Sequence, residues 1–139
     1  MLIRKELEKK VRCFIPSNPL LSTVSYGGFN FLHIDFYYDG LPVAWTQINL
    51  AKDDLEKEII ELKIADLNKT IFNIDTNGSD IIDCILEFAK YIDAKKVFSR
   101  ILIKDNYDKL NYFYTSKGFS VVHTPEEKSY DSARIYKVF

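Results

Sequence analysis

KVFSRILIKDNYDKLNYFYTSKGF, residues Lys96–Phe119, reads as strand, capped helix, glycine stop and strand. Val97, Phe98, Ile101, Leu102 and Ile103 make a short apolar run, rich in β-branched and aromatic residues. It is too short for a stable helix and suits a strand covered on both faces. A helix is expected next. Asp105 is placed to cap it, Asp108 sits in the first turn where the helix dipole favours negative charge, and Leu110, Phe113 and Tyr114 fall at helical spacing. Gly118 should end that helix, because glycine accepts the left-handed conformation of a C-terminal cap, and Lys117 complements the dipole there. Phe119 to Val122 then begin a new strand.

Composition narrows the function classes. With 139 residues, one domain is expected over 1–139, and a chain of this size buries roughly 68 % of its unfolded surface, enough for a single core. Apolar residues make up 47 % of the chain and the net charge is −1, which argues against disorder and against a charged tail. Lysines alternate with aspartates and glutamates, so the electrostatic footprint of a nucleic-acid binder is missing. Cys13 and Cys84 are isolated, and His33 and His123 form no ligand cluster with them, so neither a disulfide framework nor a structural metal is expected. With no long apolar run and no leader pattern, the expectation is a cytoplasmic protein with reduced thiols and no membrane partner.

Outward from the opening stretch, the rest of the chain gives an α/β order. Leu2 to Val11 has alternating charge and fits either an amphipathic helix or an edge strand. Pro16 to Pro19 reads as a loop, and Tyr26-Gly27-Gly28 as a turn. From Phe29 to Leu50 the pattern has period two and is broken at Asp39-Gly40, which predicts a hairpin, with Pro42 beside its turn. Ala51 to Lys57 reads as a loop, and Ile59 to Leu67 as a third meander strand, a helix being the competing reading. Ile81, Ile82, Ile85, Leu86, Ala89 and Ile92 recur at helical spacing, with Asn77 or Ser79 as cap and Asp80 and Asp83 in the first turn. Ala133 to Val138 supply a last strand after a charged loop.

A meander, a helix, a strand, a second helix ending in Gly-Phe and a closing antiparallel pair resemble the GCN5-related N-acetyltransferases. Leu110, Tyr114, Gly118 and Phe119 in LNYFYTSKGF carry the likeness, with Ile85 to Ala89 similar to the family's cofactor helix; it spans roughly Phe29 to the C-terminus. The resemblance implies a mixed, mostly antiparallel sheet with a splayed strand pair and flanking helices. It also implies acetyl-CoA as co-substrate, held with its pyrophosphate at the N-terminus of the helix after the third meander strand, and an amine of a small molecule or protein as acceptor.

Carried over by position, Tyr114 would be the acid that protonates the departing thiolate, its unperturbed pKa near 10 being close to that of a thiol. Glu61 on the third meander strand is the candidate general base, and Asp35 and His33 are further candidates. Asn77, Gly78 and Ser79 fall where the cofactor loop would lie, and Asn106 stands one position before the asparagine of the family pattern, a place held by Tyr107. The loop departs from the family. Asn77, Asp80 and Ile82 occupy the positions of its Arg or Gln, Gly, and Gly or Ala, while Asp75, Asp80 and Asp83 satisfy the helix dipole and repel a polyanion. Two readings stay open: a divergent acyltransferase, or a non-catalytic module of the same fold. The module's aromatic surface (Tyr26, Phe29, Phe31, Tyr37, Tyr112) would meet a partner or a second copy in a homodimer.

Overall fold

A computed structural model describes residues 2–27, 32–67, 78–102, 107–122 and 132–139. The elements in chain order are α1 (Leu2–Arg12), β1 (Leu21–Gly27), β2 (Leu32–Tyr38), β3 (Leu41–Lys52), β4 (Glu58–Leu67), α2 (Ser79–Tyr91), β5 (Lys96–Leu102), α3 (Tyr107–Ser116), β6 (Ser120–Val122) and β7 (Ser132–Val138). They build one seven-stranded sheet in the order β1-β2-β3-β4-β5-β7-β6, antiparallel except for the β4–β5 pair. The α+β architecture expected from the sequence is the one found.

Local chemistry accounts for most of the boundaries. Asp39 and Gly40 both have positive φ, 51° and 78°, the conformation of a two-residue hairpin turn whose twist matches that of its strands. Asp53 accepts the N–H groups of Leu55 and Lys57, closing the β3–β4 turn, so residues 53–57 form the loop and Ala51 and Lys52 still belong to β3. The two ends of the chain differ more from expectation. Residues 2–12 are a helix, whose Leu7 and Val11 bury against the core, and residues 21–27 are a strand where a turn was expected at Tyr26-Gly27. β1 pairs only with β2, so as an edge it needs no alternating apolar pattern. Phe29 and Phe31 lie outside the described residues.

The sheet has one helix-bearing face. Phe36 of β2 meets Phe88 of α2 edge to face at 5.8 Å, and Phe14, just past α1, meets the same Phe88 at 5.0 Å. Tyr91 Oη donates to the Lys10 carbonyl at 2.6 Å, and Ser17 Oγ donates to Glu87 Oε1 at 2.6 Å, strapping the N-terminal segment to α2. Beneath the helices lie Ile34, Phe36, Ile48, Leu62, Ile64 and Val97, all buried. Pleat alternation puts His33, Asp35, Trp45, Gln47, Asn49 and Glu61 on the opposite face, where they are half-buried. No described helix packs there.

Candidate functional site

β4 and β5 are paired for only three residues: Glu61 with Lys96, Leu62 with Val97, and Lys63 with Phe98. Beyond that point both strands continue, but apart. Residues 64–67 stay paired to β3, with Thr46 opposite Ile64 and Ala44 opposite Leu67, while residues 99–102 stay paired to β7 as far as Leu102 with Ser132. The result is a fork in the middle of the sheet. Its inner edges carry backbone groups that make no β4–β5 ladder bonds, which suits an extended ligand with amide groups of its own. A register shift between Trp45 and Thr46 leaves Ala65 as the extra residue of β4 beside the opening, bending that strand away from β5.

The fork opens at the carboxyl ends of two parallel strands, where ligands of open α/β sheets bind. α2 leads directly into β5 at its C-terminal end, so its N-terminus points toward the open end of the fork. Gly78 is the N-cap, buried and helical in backbone (φ −59°, ψ −39°), with no side-chain capping bond. Ser79 is therefore the first helical residue and not the cap. Its hydroxyl instead accepts from Lys117 Nζ at 2.6 Å, and the same ammonium lies 2.9 Å from Asp83 Oδ1. Sequence reading counted the acids at this end but missed the cation that folds back onto them from 38 residues away in the chain. Asn77 and Asn106 lie outside the described residues.

Tyr114 sits in the last turns of α3, on the helix-bearing side, because Lys117 ties that end of α3 to α2. It is 1 % exposed. The Gly118 N–H donates to Thr115 O and the Phe119 N–H to Tyr114 O, both at 3.0 Å, with Gly118 at φ 86°. That double bond is a Schellman cap, so the Tyr, three residues, Gly-Phe spacing is the spacing of the motif's first and last residues. The sheltered phenol is pushed up from its ordinary pKa by burial, which keeps it protonated across the neutral range. Among the described residues no hydrogen bond to its hydroxyl is found.

Glu61 stands on the first rung of the β4–β5 pair, half-buried, on the face opposite Tyr114. The two are not in one pocket. Only the fork offers a space both faces share. His33 and Asp35 are brought together on the helix-free face, with Nε2 2.8 Å from Oδ1, and the imidazole stacks on Trp45 at 4.5 Å and 9°. Their row is level with the last paired residues, since His33 faces Gln47, Gln47 faces Lys63 and Lys63 faces Phe98. Of the aromatic surface, Tyr37 is half-buried and Tyr112 is 77 % exposed. A groove of about 500 Å³ runs beside the site between α2, the end of α3 and β7, with Asp83 and Glu87 facing Lys90, Lys117 and Lys137. Among the described residues there is no group of three or more His, Cys, Asp or Glu that would hold a metal, and no helix long and apolar enough to cross a membrane.

This sheet order, with its forked parallel pair, is that of the GCN5-related N-acetyltransferase fold, as solved structures bear out. Naa50 of Arabidopsis thaliana, in complex with a bisubstrate analogue, is similar at a TM-score of 0.52 and 18 % identity over 77 % of this chain and 72 % of that one. The N-acetyltransferase PseH of Campylobacter jejuni matches at 0.54 and 12 % over 86 % and 99 %. A GNAT family acetyltransferase of Elizabethkingia anophelis with acetyl-CoA bound matches at 0.53 and 10 % over 88 % and 100 %. No protein-family model and no curated protein matches the sequence.

Proposed function

We propose that this protein is a divergent N-acetyltransferase that takes acetyl-CoA in the β4–β5 fork and passes the acetyl group to an amine of a small molecule or protein. The fork carries the reading. Edge backbone groups of β4 and β5 would hold the extended amide arm of the donor, while Gly78, Ser79 and Lys117 at the start of α2 would face its pyrophosphate. Bound there, the donor supplies an activated thioester carbonyl open to attack by the amine. Tyr114, kept protonated by burial, is suited to give its proton to the departing sulfur and not to act as base. Glu61, from the opposite face, would receive the proton of the amine through water. Thermal denaturation with and without acetyl-CoA tests this, since a ligand that binds only the native state stabilises by RT ln(1 + [L]/Kd). A rise in melting temperature is expected. No rise at millimolar concentration overturns the reading.

A second reading, a non-catalytic binding module, is favoured by one observation. Lys117 already satisfies Ser79 and Asp83, so the first turn of α2 is internally paired. In that case the helix-free face, with Trp45 and the His33–Asp35 pair, would be the surface for a partner or a second copy.

A further inference from the structure

Ser99 stands at the apex of the fork. The last paired residues are Lys63 and Phe98, so the next pair in register would be Ile64 with Ser99. There the ladder stops, and what bridges the strands is a side chain: Ser99 Oγ donates to the Ile64 carbonyl at 2.7 Å. Because it is met from β5, that carbonyl points into the fork. A buried strand carbonyl needs a donor, and in a continuous parallel pair a backbone N–H of β5 would provide it. The hydroxyl supplies the donor while letting the backbones stand further apart than the roughly 4.8 Å of paired strands.

We propose that Ser99 is a positioning residue for the acyl donor: its hydroxyl wedges β4 from β5 at Ile64 and so fixes the depth of the fork. This rests on the fork being the acetyl-CoA site. Without the hydroxyl, the Ile64 carbonyl recovers a donor only if the ladder closes further up, and the donor then has to reopen it to bind. The carboxyl-side continuation of both strands, each held by its outer neighbour, keeps the rest of the fork in place.

The test compares the wild type with Ser99→Ala and Ser99→Thr, measuring acetyl-CoA affinity by calorimetry and melting temperature without ligand. The Ser99→Ala protein should bind about fivefold more weakly, the equivalent of about 1 kcal/mol and of one hydrogen bond, with an unliganded melting temperature close to wild type. Ser99→Thr, which keeps the hydroxyl, should bind as wild type does. Equal affinity in Ser99→Ala overturns the wedge alone. A threonine variant as weak as the alanine one, or an alanine variant whose melting temperature falls with its affinity, also overturns it, because the bond is then only structural. Absence of binding by the wild type overturns the acetyl-CoA reading and the wedge with it.

Discussion

The ring of Tyr114 meets the ring of Phe119 edge to face, with centroids 5.7 Å apart and planes at 83°, across the cap that ends α3. The contact between the first and last residues of such a cap is part of what stabilises it. Tyr114 thus has a packing role in addition to the catalytic one proposed, and the two separate by substitution. Tyr114→Phe keeps the ring, the cap and the contact with Phe113 at 5.1 Å, so its melting temperature should stay within a few degrees of wild type. Turnover should drop by about 10²-fold or more, the range of a lost proton donor, with acetyl-CoA affinity nearly unchanged. Unaltered turnover would make Tyr114 structural only.

Lys117, Ser79 and Asp83 form the link between α2 and α3. The lysine side chain is 19 % exposed and the aspartate 58 %, so solvent screens the pair and its coupling should be modest. A double-mutant cycle with Lys117→Met and Asp83→Asn, followed by urea denaturation, should give a coupling of about 0.5–1 kcal/mol. A coupling of zero would mean that the link does not persist in solution.

Thr46 is fully buried, and its hydroxyl has no partner. It lies between Ile34 and Ile64, opposite the bulge that opens the fork. Replacing an unpaired buried hydroxyl with a methyl of the same shape removes a desolvation cost of about 1–3 kcal/mol. Thr46→Val should therefore raise stability in urea denaturation by about 1 kcal/mol. A loss instead would reveal a hydrogen bond made by that hydroxyl in solution.

Two buried acids govern the alkaline limb of stability. Burial, and next to it the Glu87 carboxylate, pushes the Cys84 thiol up from 9.0 to about 12, and burial raises the Tyr114 phenol. Both keep their protons in the folded chain when the unfolded chain has released them. Stability is then full below pH 9 and falls above it, first through Cys84 and from about pH 10 through Tyr114 as well, by up to about 1.4 kcal/mol per pH unit per group. Cys84→Ala should move the onset to about pH 10 in denaturation curves recorded between pH 8 and 11. An onset unmoved from pH 9 would exclude Cys84 as its source.

What the sequence determined by itself is what neighbours in the chain encode. Asp39-Gly40 specifies a turn, Gly118 a helix stop and Ile81 to Ile92 an apolar stripe, because each depends on backbone preferences or on side chains within one or two turns. β1 escaped notice for the same reason, since an edge strand buries little and leaves only a weak pattern. The site belongs to the other category. Tyr114 and Gly118-Phe119 were legible as a spacing, but that spacing is the geometry of a helix cap and so reports on the fold. Only strand pairing decided that β7 inserts between β5 and β6, that β4 and β5 part after Lys63 and Phe98, and that Glu61 and Tyr114 look out from opposite faces. Only the packing of α3 on α2 brought Lys117 to Asp83. These are long-range relationships. Local propensity does not specify them, because they are set by which surfaces the whole core leaves to be covered and by the register in which distant segments meet.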